Sequence, residues 1–137
     1  MTEGRTLVAG HAEGVALVLT QPLSFWGGLD PATGAIVDVH HPQVGTVVAG
    51  RILVMPGGRG SSSSSSVLAE AIRAGTAPAA ILLLEPDSIV ALGAIVAREL
   101  YDIAVPVVLV SEPPPAVPGR RLRVVATRDR AWLEPAP

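Results

Sequence analysis

The stretch Pro56-Gly57-Gly58-Arg59-Gly60 runs directly into six consecutive serines, Ser61 to Ser66. Glycine lets backbone N–H groups approach an anion closely, and a helix opening just beyond the glycines adds partial positive charge from its N-terminus. Arg59 brings a permanently charged planar fork that suits carboxylate or phosphate. A serine hydroxyl at the first positions of such a helix has three uses. It caps the helix, binds the anion, or acts as a strong base once deprotonated, and the last requires the same positive surroundings. Gly58, Arg59, Gly60, Ser61 and Ser62 are therefore the candidate site residues.

Two familiar loops do not fit. A phosphate-binding P-loop needs Gly-Lys-Ser/Thr after its glycines, and the chain has no lysine. The nucleophile elbow needs Gly-x-Ser-x-Gly, and no glycine follows Ser61 before Gly75. A serine run is also the composition of a flexible linker. Against that stand the elements on either side, since linkers seldom join a buried strand to an amphipathic helix this tightly.

Those elements can be traced along the chain. Ile52 to Met55 is a compact apolar strand leading into the loop. After it, Val67, Leu68, Ala71 and Ile72 recur at helical spacing, with Gly75 placed as a C-terminal cap. Ala79 to Leu84 is an apolar run of strand length, of the kind covered on both faces. Asp87 or Ser88 can cap a second helix through Ile89, Leu92, Ile95, Val96 and Leu100. Val105–Val110, Leu122–Ala126 and Ala131–Leu133 read as later strands, with a proline-rich loop over residues 112–119. At the start, Thr6–Ala9 and Val15–Thr20 read as a hairpin around Gly10 and Gly14. Gln21–Gly34 is a loop, Ile36–Val39 another strand ending at His40-His41-Pro42, and Val47–Ala49 a short one. Strands alternate with helices only in the middle, and both ends are all-β. The expected fold class is α/β, as a compact layered β/β/α domain occupying residues 1–137.

Composition narrows the function. Aromatic residues are only 3% of the chain, so the core must be aliphatic. A net charge of −2 gives no footprint for nucleic acid or an anionic membrane. With no cysteine, this chain alone builds neither a disulfide nor a thiolate-ligated zinc or iron–sulfur site. No metal site and no cofactor is assigned to it. The apolar stretches are too short or too broken to span a bilayer, and the polar Met1–Arg5 does not open a targeting segment, so a cytoplasmic location is expected. His40 and His41, with Asp38 nearby, suggest a metal at first glance, but adjacent residues of a strand face opposite ways, and a turn or surface role is the simpler reading. Phe25 and Trp26 suit either a subunit contact or packing of the loop onto the core. Glu85, Asp87 and Glu99 read as caps or surface charges.

Four motifs in order carry a resemblance: Gly14 through Pro22-Leu23-Ser24-Phe25-Trp26-Gly27-Gly28-Leu29-Asp30-Pro31-Ala32-Thr33-Gly34; His41-Pro42-Gln43-Val44-Gly45; Met55-Pro56-Gly57-Gly58-Arg59-Gly60-Ser61; and Ala91-Leu92-Gly93-Ala94-Ile95-Val96. From about Gly10 to Val110 the chain resembles the small subunit, or swivel domain, of aconitase X. The resemblance implies an aconitase-swivel-like fold that closes over a larger partner, and an iron–sulfur cluster on that large subunit. It implies a hydro-lyase inactive without the partner, acting on a small hydroxy acid. Ser61 is then the proton acceptor, with Ser62 to Ser66 offering the same hydroxyl further on, and Arg59 stands where some relatives have lysine. Such enzymes dehydrate cis-3-hydroxy-L-proline or phosphomevalonate. All ten basic residues are arginine, a sign of a GC-rich bacterial genome, which favours cis-3-hydroxy-L-proline giving Δ1-pyrroline-2-carboxylate. The remaining alternative is a non-catalytic module whose loop binds carboxylate or phosphate.

Overall fold

The computed structural model describes residues 2–58, 62–112 and 119–137. Among them seven strands close into a barrel: β1 (Thr2–Val8), β2 (Gly10–Val18), β3 (Ile52–Met55), β4 (Ala80–Leu83), β5 (Val107–Leu109), β6 (Arg121–Ala126) and β7 (Ala131–Pro135). The order around the barrel is β1-β5-β4-β3-β2-β6-β7, and β7 pairs back with β1. Neighbours β2, β3, β4 and β5 run parallel, while the pairs on the other side are antiparallel. The parallel part is covered outside by two helices, α2 (Ser64–Ala74) and α3 (Ser88–Tyr101). Two strand layers and one helix layer make this the expected β/β/α arrangement.

The apolar pattern explains why the parallel strands sit where they do. All four residues of β3 and of β4 are buried, so each strand must be covered on both faces. Side chains alternate between them. Ile52, Val54, Ala80 and Leu82 point into the barrel with Val108, Leu122, Val124 and Leu133. Leu53, Met55, Ile81 and Leu83 face outward against Leu68, Ile72, Val90 and Ala94 of the helices. The antiparallel side instead meets solvent with charge. Arg123 bonds Glu13 on one neighbouring strand (2.8 Å) and Glu134 on the other (3.2 Å), each directly opposite it in register. Arg123, by hydrogen bond first and charge second, holds the Glu13 carboxyl below its ordinary pKa.

Two expectations are corrected. β1 and β2 are consecutive but do not pair: β1 lies between β5 and β7, and β2 between β3 and β6. A single residue, Ala9, separates them, fewer than the two that a tight hairpin needs. Ile36–Val39 and Val47–Ala49 are not strands either. They contribute one isolated bridge each, Leu29 with Ile36 and Ala35 with Val47. Gly34, Gly45 and Gly50 adopt positive φ around them and bend the chain away from a ladder. Ile36 and Val48 are buried while Val37, Val39 and Val47 are exposed, an alternation that imitates a strand. The proline-rich stretch 113–118 lies outside the described residues.

The helices are tied together at Gly93. A Cβ there would sit 2.8 Å from the Ser65 carbonyl oxygen and 3.1 Å from the Leu68 Cβ, so α2 and α3 touch backbone to backbone at this point. Gly93→Ala should therefore lose stability despite gaining about 1 kcal/mol of helix propensity. The methyl has nowhere to go, and overpacking costs about 1–3 kcal/mol. A net loss is expected in urea unfolding of the variant against wild type; equal or higher stability would show that the helix contact is looser than described.

Candidate functional site

Three connections leave the carboxyl ends of parallel strands β2, β3 and β4 and meet at one end of the barrel, where ligands of parallel sheets generally bind. From β2 comes residues 19–28, ending in α1 (Phe25–Gly28), a single turn with non-helical φ/ψ at Trp26 and Gly27. From β3 comes the glycine–serine loop into α2, and from β4 comes the approach to α3. Leu23 bridges Gly58 in parallel, which sets the first connection against the second.

Arg59, Gly60 and Ser61 lie outside the described residues; both flanks of the three are described. On the upstream flank, Gly58 donates its N–H to Asp87 Oδ2 at 2.9 Å. The other oxygen of the same carboxylate accepts from Ile89 N (2.9 Å) and Val90 N (3.1 Å), which makes Asp87 the N-cap of α3. The expected cap thus has a second task that its sequence position did not announce. Gly58's N–H, expected to face an anion, is engaged by Asp87 instead, and the same carboxylate fills the space its missing side chain leaves. A side chain there would collide with the Asp87 carboxylate.

On the downstream flank the serines, alike in sequence, differ in surroundings. Ser62 is exposed, and its carbonyl accepts from Ser65 Oγ at 2.8 Å. Ser64 is buried at 4% exposure, a rare position for a hydroxyl. Its Oγ accepts from Trp26 N at 3.2 Å and lies 3.4 Å from Ser24 Oγ, which in turn donates to the Trp26 carbonyl at 2.9 Å. The first turn of α2 carries no acidic residue, so nothing there offsets the positive end of the helix. Ser24 was not among the residues picked out as a site, Trp26 was read as a subunit or packing contact, and Ser64 only as an alternative to Ser61 in the serine run. Only the unusual Pro22–Gly34 stretch hinted at them, because the contact spans forty positions of chain.

The rest of the surrounding loop is built on polar anchors with apolar tips. His41 is buried, accepts from Gln43 N at Nδ1 (3.0 Å) and therefore carries its proton on Nε2, 3.3 Å from the Gln21 carbonyl. Gln43 binds Thr20 N and the Val18 carbonyl at the end of β2. His40 is exposed. The histidine pair is thus a turn device, with His41 inside the protein and not on its surface. Phe25 and Trp26 part company: Phe25 is 1% exposed in the core, and Trp26 is 59% exposed. Val39 and Val44, in the loop that His41 and Gln43 anchor, are exposed as well. Among the described residues no group of three or more His, Asp or Glu side chains is placed to hold a metal ion, and no helix is long and apolar enough to cross a membrane.

The two oxygens of Asp87 are separable by substitution. Asp87→Ala should cost about 1.5–3 kcal/mol, a lost cap together with a charge-assisted bond. Asp87→Asn keeps a capping oxygen but can no longer serve both partners with carboxylate charge, and should cost less. Urea unfolding of both variants gives the comparison; a cost near zero for Asp87→Asn would mean that the Gly58 bond adds nothing to the cap.

Comparison with known proteins adds the following. A family model described as the aconitase X swivel domain matches residues 1–131. The chain is 56% identical over 108 residues to a cis-3-hydroxy-L-proline dehydratase of Pseudomonas aeruginosa, covering 79% of this chain and 19% of that protein. It is 40% identical over 132 residues to the phosphomevalonate dehydratase small subunit of Thermococcus onnurineus, covering 96% of this chain and 97% of that one. Among solved structures, the aconitase X of Thermococcus kodakaraensis in its holo-form superposes with a TM-score of 0.83 at 38% identity, over 96% of each chain. The chain thus spans about a fifth of the dehydratase relative and nearly the whole of the small-subunit relative.

Proposed function

This chain belongs to the aconitase X swivel-domain family, and we propose that it is the small subunit of a hydro-lyase that dehydrates cis-3-hydroxy-L-proline together with a larger, iron–sulfur-bearing subunit. The observation that carries the reading is the meeting of the glycine–serine loop with the starts of α2 and α3 at the carboxyl ends of β2, β3 and β4. The 56% identity to a cis-3-hydroxy-L-proline dehydratase supports that substrate.

The described residues do not fit a cluster: the chain has no cysteine and they offer no ligand group. The cluster therefore belongs to the partner in this proposal, and what this chain supplies is the base and its surroundings. Ser61, as alkoxide, takes the proton from C2 of the substrate. The C3–O bond breaks, the departing hydroxide takes up the proton that Ser61 has removed and leaves as water, and a C2=C3 double bond forms. The resulting enamine tautomerises to Δ1-pyrroline-2-carboxylate. Arg59 and the N-terminus of α2 favour the anionic serine and the substrate carboxylate. Gly60 and Ser62 contribute donors, and Gly58, held by Asp87, leads the chain into them. The exposed Trp26, Val39 and Val44 meet the larger subunit, so that closure excludes water from the reacting atoms. One swivel domain occupies the whole of residues 1–137, the complex is a cytoplasmic heterodimer, and neither nucleic acid nor a membrane is a partner.

A second reading has its own observation. The small-subunit relative with nearly the same length acts, by its name, on phosphomevalonate. The test is anaerobic co-expression with the cysteine-containing large subunit of the same genome, followed by assays on both compounds with wild type and Ser61→Ala. The expected result is cis-3-hydroxy-L-proline turnover that needs both chains and falls about 10²–10⁴-fold in the variant. Turnover of phosphomevalonate instead moves the substrate. Full activity in Ser61→Ala removes the serine base, and absence of any complex favours a non-catalytic carboxylate- or phosphate-binding module.

A further inference from the structure

Segment 23–26 touches both flanks of residues 59–61. Leu23 bridges Gly58 on the upstream side, and Ser24 and Trp26 bond Ser64 on the downstream side. The protons can be counted around the second contact. Ser24's only hydroxyl proton goes to the Trp26 carbonyl, so the Ser24–Ser64 contact must run from Ser64 to Ser24. Ser64 meanwhile accepts the Trp26 N–H. The result is a closed ring, Trp26 N–H to Ser64, Ser64 to Ser24, and Ser24 back to the Trp26 carbonyl. Ser64's proton and one lone pair are both committed inside the protein, which sets it apart from the exposed Ser62 and Ser66. From this juxtaposition we infer that Ser24 and Ser64 are positioning residues, a clamp that fixes the distance between the two flanks and so places the proton acceptor carried between them.

The clamp rests on the dehydratase reading for its effect on catalysis but not for its existence. Its oxygens act through the span they bracket. Ser64→Ala is expected to fold, because alanine is the best helix former and the lost hydroxyl leaves only a small gap. What it removes is the acceptor of the Trp26 N–H. Misplacement of a reacting group by about 1 Å costs on the order of 100-fold in rate.

The experiment uses the co-expressed complex with wild type, Ser24→Ala, Ser64→Ala and the hydroxyl-keeping Ser24→Thr. It measures turnover of cis-3-hydroxy-L-proline with hydrogen or deuterium at C2, thermal melting, and amide hydrogen exchange over residues 57–66 and at Trp26. In the alanine variants kcat should fall about 10- to 100-fold with KM within about threefold. The C2 deuterium isotope effect should grow, since proton abstraction from a misplaced base becomes more rate-limiting. Exchange at Trp26 and across 57–66 should quicken, melting should stay close to wild type, and Ser24→Thr should recover most of the rate. A kcat within twofold of wild type overturns the inference. So does a lost rate that follows a lowered Tm with an unchanged isotope effect, which would make the ring merely structural. Should the wild-type complex turn over neither hydroxyproline nor phosphomevalonate, the exchange data decide alone: quickened exchange keeps the clamp while the dehydratase reading falls, and unchanged exchange overturns the clamp.

Discussion

Strands Ile52–Met55 and Ala80–Leu83 are closed to solvent on both faces, and each has a parallel neighbour on either side. Four-residue strands have few backbone bonds of their own, so their position is held by apolar burial, worth roughly 25 cal/mol for each Å² removed from water. Every other part of the molecule adjusts to that. The barrel interior takes the small and branched residues of one alternation, the helices cover the other, and the chain leaving each strand emerges at the same end. The site is where it is because parallel strands put their carboxyl ends together.

The local elements were readable from the sequence because their signals are local. The apolar runs gave the central strands, Gly75 stands at the end of α2 in the left-handed conformation, and Asp87 caps α3. The β/β/α class followed from helices confined to the middle of the chain. Pairing was not readable in the same way. Glycines at 10 and 14 look like a turn between two strands, yet the partner of each strand is set by closure of a barrel whose neighbours come from distant chain. The apolar residues at 36–39 and 47–48 imitate strands because a loop pinned by His41 and Gln43 buries Ile36 and Val48 and leaves their neighbours Val37 and Val47 exposed.

The site was legible in the same uneven fashion. The glycine–serine loop announces anion chemistry by composition alone, and the family match covers it. What composition cannot convey is which of several identical hydroxyls faces inward. Ser62 and Ser64 are two residues apart in one uniform run, but one meets solvent and the other meets Ser24. Nor does a helix cap reveal that its second oxygen is spent on another loop, as Asp87's is on Gly58. Both facts depend on tertiary neighbours forty and twenty-nine positions away.

Closure of the barrel has a consequence for association. Each of the seven described strands has two neighbours, so none lies at the open end of a sheet, although β1 and β2 divide their partners along their length. Docking on such a domain falls to side chains and loop tips more than to a shared backbone hydrogen-bond ladder. Contacts of that kind can be exchanged one set for another at small cost, whereas a shared sheet would have to be torn and rebuilt. A body closed on itself in this manner can change its orientation against a larger neighbour and remain internally unaltered.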